Sequence, residues 1–313
     1  MDIHFEKLTI PATDGFRLAA TLYSPEGEHD RPVVLINPAT GVKRNLYDKF
    51  ARFLAGQGMH VVTYDYRGIG GSRTEPLSAL SARMVDWGTR DLAGAVDWVV
   101  EQFPHSPLLA VGHSSGGQLL GMTDRIQHVS AMLAVGAQSG YWRHWEGLRR
   151  YQLALLWYVG IPAGVRLLGY FPAKKLGLGE DLPGGVAQEW ARWCRNPNYI
   201  SDERGVPLRP YFDDFSGPLL AYSFADDRFA PRAAVEALLG FYPHAVKEHR
   251  HLSPKDLKVD AIDHFGWLRE SFRSPLWEDM ASWLRQQAAE ARPAASGVQP
   301  GASHSPAQPP NLA

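Results

Sequence analysis

The residues most able to do chemistry lie in a Gly-x-Ser-x-Gly sequence at residues 112–116, directly after the apolar run 108–111. Apolar residues at helical spacing follow, so the chain is predicted to turn sharply from a buried strand into a helix at Ser114. Such a turn needs very small residues two positions before and after the serine, and glycine occupies both. The start of the helix also offers free N–H groups to a developing anion. The pattern therefore indicates a nucleophilic serine, and the alternative is a glycine-rich turn with an idle serine.

A serine hydroxyl becomes a good nucleophile only when a base removes its proton and a third group fixes the tautomer of that base. Where a nucleophilic serine lies in a sharp turn between a strand and a helix, an acid and then a histidine follow it in the chain, each in a loop after a strand. Asp226 and Asp227 follow a predicted strand, and His264 lies later, in a loop outside any strong helical period. We predict a triad of Ser114, Asp227 and His264, because Asp227 stands four residues before Pro231, a residue suited to a first helical turn. Asp226 is one residue out of that register, so it is expected to cap the loop or to be solvated.

Acyl transfer also needs hydrogen-bond donors for the tetrahedral oxyanion. The backbone N–H of Ser115, directly after the nucleophile, is one expected donor. The second is expected from the loop that follows the strand predicted at residues 33–36. Pro38 has no N–H, which leaves Ala39 or Thr40, and Ala39 is favoured. The alternative is that this loop is only a turn.

The elements that must position these residues alternate along the chain. Residues 5–10 and 16–23 alternate apolar and polar around a Thr-Asp-Gly turn, which predicts a β-hairpin. Short apolar runs alternating with helical patterns then predict an α/β fold, with a doubly wound, mostly parallel sheet opened by the antiparallel hairpin. Strands are predicted at 33–36, 59–64, 108–111, 131–135, 218–224 and 246–252, and helices at 46–57, 87–102, 231–241 and 275–289.

The alternation stops over residues 140–216, which contain five of the ten tryptophans. Helical segments there are separated by predicted turns at residues 160–162 and 182–185. We predict a helical cap insertion with an apolar underside, lying over a core formed by residues 1–139 and 217–290. The alternative is that these aromatic residues form the core of the insertion, as most of them are expected to do.

Residues 151–171 of this insertion are apolar enough to raise the question of a transmembrane helix. Gln152, Arg166, Pro162 and two further glycines interrupt the segment, so a spanning helix is not expected.

Composition narrows the class of protein. Lys and Arg number 32 against 33 Asp and Glu, a net charge of -1, so neither nucleic acid nor an anionic membrane is the expected partner. Cys194 is the single cysteine, which excludes an internal disulfide and a cysteine-based metal site. No metal or organic cofactor is expected.

The two ends of the sequence carry further expectations. The first residues show no basic and apolar signal pattern, so a cytoplasmic location is expected. The proline-rich residues 291–313 are predicted to be disordered.

Four segments together resemble the α/β-hydrolase superfamily, and most closely the predicted bacterial serine hydrolases near the serine-aminopeptidase and monoacylglycerol-lipase branch. They are residues 112–116, 65–72, 227–231 and 264–266, and the resemblance covers about residues 5–290. It implies the α/β-hydrolase fold and a Ser-His-Asp triad, with the acid in an Asp-x-apolar-x-Pro register that Asp227 fits.

The resemblance also implies that residues 65–72 form a structural turn, so Arg67 is assigned no catalytic role. Asn37-Pro38 stands where many relatives have His-Gly, a departure that affects the oxyanion donor.

The expected function is a serine hydrolase that cleaves a carboxylic ester through an acyl-enzyme, with a small, partly apolar ester as its substrate. An aminopeptidase or amidase, a thioesterase and an acyltransferase are alternatives on the same triad. An aminopeptidase would need carboxylates in the pocket, for which Glu146, Glu180, Asp181 and Glu189 are the candidates. A non-catalytic ligand-binding protein is the alternative of another class, and loss of a triad member would be its signature.

Overall fold

The computed structural model describes residues 3–27 and 30–291. An eight-stranded sheet forms the centre of the described chain, and a two-stranded hairpin lies apart from it. The strands are β1 (Ile3–Pro11), β2 (Arg17–Pro25), β3 (Val33–Asn37), β4 (His60–Tyr64), β5 (Leu108–His113), β6 (Val129–Val135), β7 (Tyr170–Phe171), β8 (Leu182–Pro183), β9 (Pro218–Phe224) and β10 (Val246–Leu252).

The strand order in the sheet is β1-β2-β4-β3-β5-β6-β9-β10, and β7 pairs with β8. Both pairings of β2 are antiparallel, while all pairings from β4 through β10 are parallel. The opening hairpin is in the register that pairs Pro11 with Arg17. The predicted mostly parallel sheet with an antiparallel hairpin is confirmed.

Helices cover both faces of the sheet. Along β3, Val33 and Leu35 belong to one hydrophobic cluster, while Val34 and Ile36 belong to a second cluster on the opposite face. Helices α3 and α8 pack in the first cluster, and α1 and α10 pack in the second. The α-helices are α1 (Asp48–Gly56), α2 (Met84–Asp86), α3 (Ala93–Gln102), α4 (Ser115–Gln118), α5 (Gly147–Leu155), α6 (Ile161–Leu168), α7 (Gly184–Arg195), α8 (Arg232–Leu239), α9 (Asp263–Gly266) and α10 (Glu278–Ala291).

Shorter helical segments complete the description. Wider π turns link α2 to α3 and α5 to α6; they are Trp87–Leu92 and Leu156–Gly160. A helical segment, Arg273–Trp277, precedes α10 and is kinked by the extended residue Ser274. The 3₁₀ turns are Arg44–Tyr47, Gly70–Ser72, Leu120–Met122, Ile126–His128, Trp142–His144, Ala173–Leu176 and Glu270–Phe272.

The helix predicted after Ser114 is present as the single turn α4. Two other sequence predictions about helices are corrected. His264 lies in the one-turn helix α9 rather than in an open loop. The closing helix α10 begins at Glu278 rather than at Pro275.

The predicted break at residues 160–162 is also wrong, because one helix runs from Gly147 to Leu168. Pro162 lacks an N–H, and its ring would clash with a carbonyl of the preceding turn in a regular α-helix. The π turn Leu156–Gly160 widens the helix just before the proline, which accommodates the ring without a break.

This 22-residue helix is long and apolar enough to cross a membrane by length and composition alone. One side packs into the protein core through Leu153, Trp157, Ile161 and Val165. The other side exposes large apolar residues: Leu148, Tyr151, Leu155, Tyr158, Val159 and Leu167.

Candidate active site

Ser114 occupies a strained turn at the end of β5. Its backbone has φ 52° and ψ −119°, a conformation that L-residues rarely adopt. A Cβ at Gly116 would lie 2.0 Å from the Asn37 carbonyl oxygen, and a Cβ at Gly112 would lie 2.4 Å from Cα of Gly117. The turn therefore needs glycine on both sides of the serine, because the end of β3 and the chain itself approach too closely for any side chain.

The acid and the histidine are paired directly. Nδ1 of His264 lies 2.7 Å from Oδ2 of Asp227, and both side chains are buried. Oδ1 of Asp227 accepts the N–H groups of Phe229 at 2.7 Å and Ala230 at 3.0 Å. Both carboxylate oxygens are thus engaged, which fixes the carboxylate and orients the imidazole with Nε2 free.

Asp226 holds the histidine loop instead of the imidazole. Its Oδ2 accepts the N–H of Ile262 at 2.8 Å and that of Asp263 at 3.2 Å. Asp263 has φ 61°, so the carboxylate stabilises a left-handed backbone immediately before His264. The loop-capping alternative considered for Asp226 is what the structure shows.

Ser114 and His264 line one cavity of about 890 Å³. No hydrogen bond joins the Ser114 hydroxyl to His264 in the described part of the chain, and Nε2 of His264 has no partner there. Catalytic hydrogen bonds are often long in the absence of substrate. The structure thus brings the three predicted residues to one site, with the histidine–acid pair formed and the serine beside it.

The oxyanion loop differs from the sequence expectation. The N–H of Ala39 donates to the Tyr47 hydroxyl at 2.9 Å, so it is engaged inside the protein. Ala39, the favoured donor, is therefore not free to bind an oxyanion, which leaves Thr40, the other residue considered, as the candidate. The N–H groups of Thr40 and Ser115 have no hydrogen-bond partner among the described residues, and Thr40 lines the cavity.

A buried hydrogen-bond chain links this loop to His264. The Tyr47 hydroxyl lies 2.9 Å from Nδ1 of His113, and Nε2 of His113 lies 3.0 Å from the His264 carbonyl oxygen. Since a carbonyl can only accept, Nε2 donates, and Nδ1 accepts from the tyrosine. Burial, and next the neighbouring His264, lower the pKa of His113 well below its usual range, so its imidazole is neutral.

Comparisons with known proteins agree with this architecture. A family model described as serine aminopeptidase, S33, matches residues 28–163. The described chain superposes on an esterase from Exiguobacterium antarcticum with a TM-score of 0.58 at 15% identity, covering 90% of this chain and 100% of that one. An esterase from Pyrococcus furiosus superposes with a TM-score of 0.60 at 14% identity, and the match covers 91% of this chain and 92% of that one. These likenesses show that the chain has the α/β-hydrolase fold.

The monoglyceride lipase of Rattus norvegicus is 27% identical to this α/β-hydrolase over 124 residues. That match covers 39% of the chain and 40% of the lipase, so only about two fifths of the relative's length is matched.

Gly136 is a site residue of this α/β-hydrolase that the sequence analysis missed. It follows β6 with φ 57°, and a Cβ there would lie 3.1 Å from Cε1 of His264 and 3.4 Å from Oδ2 of Asp227. A side chain would therefore press on the histidine–acid pair. Its position directly after the strand next to the elbow strand was the available signal, whereas Tyr47 and His113 gave none.

The loop that carries Asp227 is held by hydrogen bonds from Trp145 and Gln138. The indole N–H of Trp145 donates to the Arg228 carbonyl at 2.9 Å. From the core side, Nε2 of Gln138 donates to the Phe229 carbonyl at 3.0 Å. The two residues that follow Asp227 are thus fixed from both sides.

The carboxylates considered for amine recognition have other partners. Glu180 lines the cavity but pairs with Lys43 at 3.1 Å. Glu189 accepts the Val85 N–H at 2.8 Å and pairs with Arg192 at 2.8 Å. Oδ1 of Asp181 accepts the Lys174 N–H at 3.0 Å, and Glu146 lines a neighbouring depression instead of this cavity.

Arg67 is structural, as expected, because it pairs with Asp14 at 2.8 Å and with Asp91 at 2.6 Å beneath the hairpin. Within residues 3–27 and 30–291, no group of three or more His, Cys, Asp or Glu side chains could hold a metal ion.

Proposed function

We propose that this α/β-hydrolase is a serine esterase that uses Ser114, His264 and Asp227 as its triad. The observation that supports it most is the 2.7 Å pair between Nδ1 of His264 and Asp227, set in the same cavity as a serine with a strained backbone. The esterase folds and the monoglyceride lipase likeness agree with ester chemistry. All three triad members are present, which argues against a non-catalytic binding protein.

The proposed reaction has two steps. The Ser114 hydroxyl attacks the ester carbonyl while Nε2 of His264 takes its proton, and Asp227 stabilises the imidazolium. The N–H groups of Thr40 and Ser115 bind the oxyanion. The tetrahedral intermediate collapses, the alcohol leaves with the proton held by His264, and the acyl group stays on the serine. Water then attacks the acyl-enzyme with His264 again as the base, which releases the carboxylic acid.

The lining of the cavity supports an ester with a sizeable apolar part. Apolar side chains of residues 140–216 line the cavity, among them Leu153, Trp157, Ile161, Phe171 and Leu182. A cavity of about 890 Å³ is within the range of ligand sites that bury most of a small molecule. We take residues 140–216 as the cap and residues 1–139 and 217–290 as the core.

Stopped-flow hydrolysis of p-nitrophenyl esters tests the proposal. An acyl-enzyme predicts a burst of p-nitrophenol that approaches one equivalent per active site, followed by slower turnover. Hexanoate and octanoate esters should react faster than acetate, because the longer chains fill the apolar cavity. Faster turnover of aminoacyl p-nitroanilides than of every ester would favour an aminopeptidase, and no turnover of any ester would contradict the proposal.

A further inference from the structure

Two arginines line the same wall of the cavity without a carboxylate partner. Arg149 extends from α5, and Arg228 lies in the acid loop next to Asp227. Neither has an ion pair with any described residue. The remaining lysine or arginine of the cavity lining, Lys43, is neutralised by Glu180 at 3.1 Å. This wall therefore presents uncompensated positive charge.

Arg149 is unusual because its guanidinium has no hydrogen-bond acceptor in the described structure. Its Nε is buried and unpartnered, although the side chain as a whole is half-buried. A buried charged donor without an acceptor is costly, so such a group is normally paired. The planar guanidinium matches the two oxygens of a carboxylate or phosphate, which makes an anion the natural missing partner.

The guanidinium is also close to the reacting groups. Its central carbon lies 5.5 Å from the centre of the Phe229 ring, and that ring lies 5.3 Å from the imidazole of His264. The guanidinium and the imidazole thus both lie beside the same phenyl ring. An anion held by Arg149 would be a few carbon atoms from a carbonyl at Ser114.

We propose that the cavity takes esters that bear an anionic group, a carboxylate or phosphate, several carbons from the scissile bond, and that Arg149 binds this group. Arg228 adds positive potential at the same wall. This inference rests on the proposed esterase function and narrows its substrate class to anionic esters with an apolar spacer, as in the monoester of a dicarboxylic acid.

Matched substrates separate this role from simple stacking on Phe229. We would compare p-nitrophenyl hexanoate with mono-p-nitrophenyl adipate, which has the same acyl length and a free carboxylate, and with the ester of 6-phosphooxyhexanoic acid. Each is assayed with the wild type, Arg149→Gln, Arg149→Lys and Arg143→Gln. Arg143 is the control, because it also stacks on an aromatic ring, that of Trp142 at 5.1 Å, but is exposed and does not line the cavity.

The wild type should prefer at least one of the anionic esters to the hexanoate by about tenfold in kcat/KM, with the carboxylate and phosphate arms showing which anion fits. Arg149→Gln should lower the anionic-to-neutral ratio by about tenfold to a hundredfold, the loss typical of a charge-assisted hydrogen bond. Arg149→Lys should keep part of the preference, and Arg143→Gln all of it. The wild-type preference should also weaken with added salt.

The proposal is overturned if the wild type prefers the neutral ester, or if Arg149→Gln lowers kcat/KM equally for the anionic and the neutral esters. Failure of the esterase proposal itself would look different, since no ester of either charge would then be hydrolysed.

Discussion

Asp226 and Asp227 are neighbours in the chain but hold different parts of the site. Asp227 contacts the imidazole of His264, whereas Asp226 holds the backbone just before it. Asp227 therefore sets the tautomer of the His264 imidazole, and Asp226 fixes the position of the backbone that carries it. Their substitution should therefore have different consequences.

Asp227→Asn should lower kcat for a p-nitrophenyl ester by two or more decades, because an amide favours the wrong imidazole tautomer. Asp226→Asn should lower kcat by less than one decade, since its partners are backbone N–H groups that an amide oxygen still accepts. Steady-state kinetics on both variants, with circular dichroism to confirm folding, measure the difference. A larger loss in Asp226→Asn would mean that the acid is misassigned.

Gly136→Ala should lower kcat by about tenfold or more, because the new Cβ would press on His264 and Asp227. Gly15→Ala is the matched control, since Gly15 also has positive φ, at 82°, but a Cβ there meets nothing within 4 Å. Both variants should lose roughly 1 kcal/mol of stability from backbone strain. Equal activity of the two alanine variants would contradict a role for Gly136 in positioning the pair.

The sequence predicted the serine and the histidine that the structure brings to one cavity, and the acid paired with the histidine, but not which N–H of the loop after β3 is left free. Ser114 could be predicted because the glycines that its turn needs are adjacent in the chain. Choosing between Ala39 and Thr40 depends on the Tyr47 hydroxyl, which captures one of the two N–H groups. No local pattern shows which N–H a folded side chain will reach.

The opening hairpin is tied to the core by a partly buried charge network. Arg67 binds Asp14 through two nitrogens at 2.8 Å each and also pairs with Asp91. The hydrogen bond from Arg67 is the largest cause that lowers the pKa of Asp14 to about 2. The hairpin turn is thus stabilised by an ionised carboxylate.

Asp14→Asn should destabilise the protein by roughly 1–2 kcal/mol at neutral pH. The folded pKa lies below the ordinary value of 3.8, so this stability is present above pH 3.8 and is lost as the pH falls toward 2. In urea unfolding, the difference in the free energy of unfolding between the wild type and Asp14→Asn should become smaller as the pH falls over this range. Asp260→Asn, at an exposed site, is the control, and an advantage independent of pH would contradict the account.

The cap helix shows what a pattern of residue types misses. Glycine and proline at residues 160–162 predicted a break, yet a π turn keeps the helix continuous from Gly147 to Leu168. A proline forbids a regular turn but does not specify whether the chain breaks or widens. That choice depends on packing, here of Trp157 and Ile161 in the core.

Over the whole molecule, alternating apolar runs and helical patterns sufficed to predict the sheet, because each buried strand is continuous in the chain. The enclosure of the cavity could not be predicted. Of the five tryptophans in residues 140–216, Trp145, Trp157 and Trp190 line it, whereas Trp193 is buried with its indole bonded to the Ser201 carbonyl. Only the tertiary packing determines which of these tryptophans line the cavity and which belong to the core.

Some expectations stay predictions. The predicted disordered tail lies outside the described residues except for Ala291, which ends α10. The cytoplasmic location, the absence of a cofactor and the boundaries of the cap stay predictions as well.

Covalent labelling with a fluorophosphonate tests whether Ser114 is the nucleophile. Intact mass should show one equivalent bound, and peptide mapping should place it on Ser114. Ser114→Ala should abolish labelling while the fold is retained, and Ser115→Ala, which keeps its backbone N–H, should still be labelled. Full labelling of Ser114→Ala, or adducts on Ser115 or Ser72, would contradict the account.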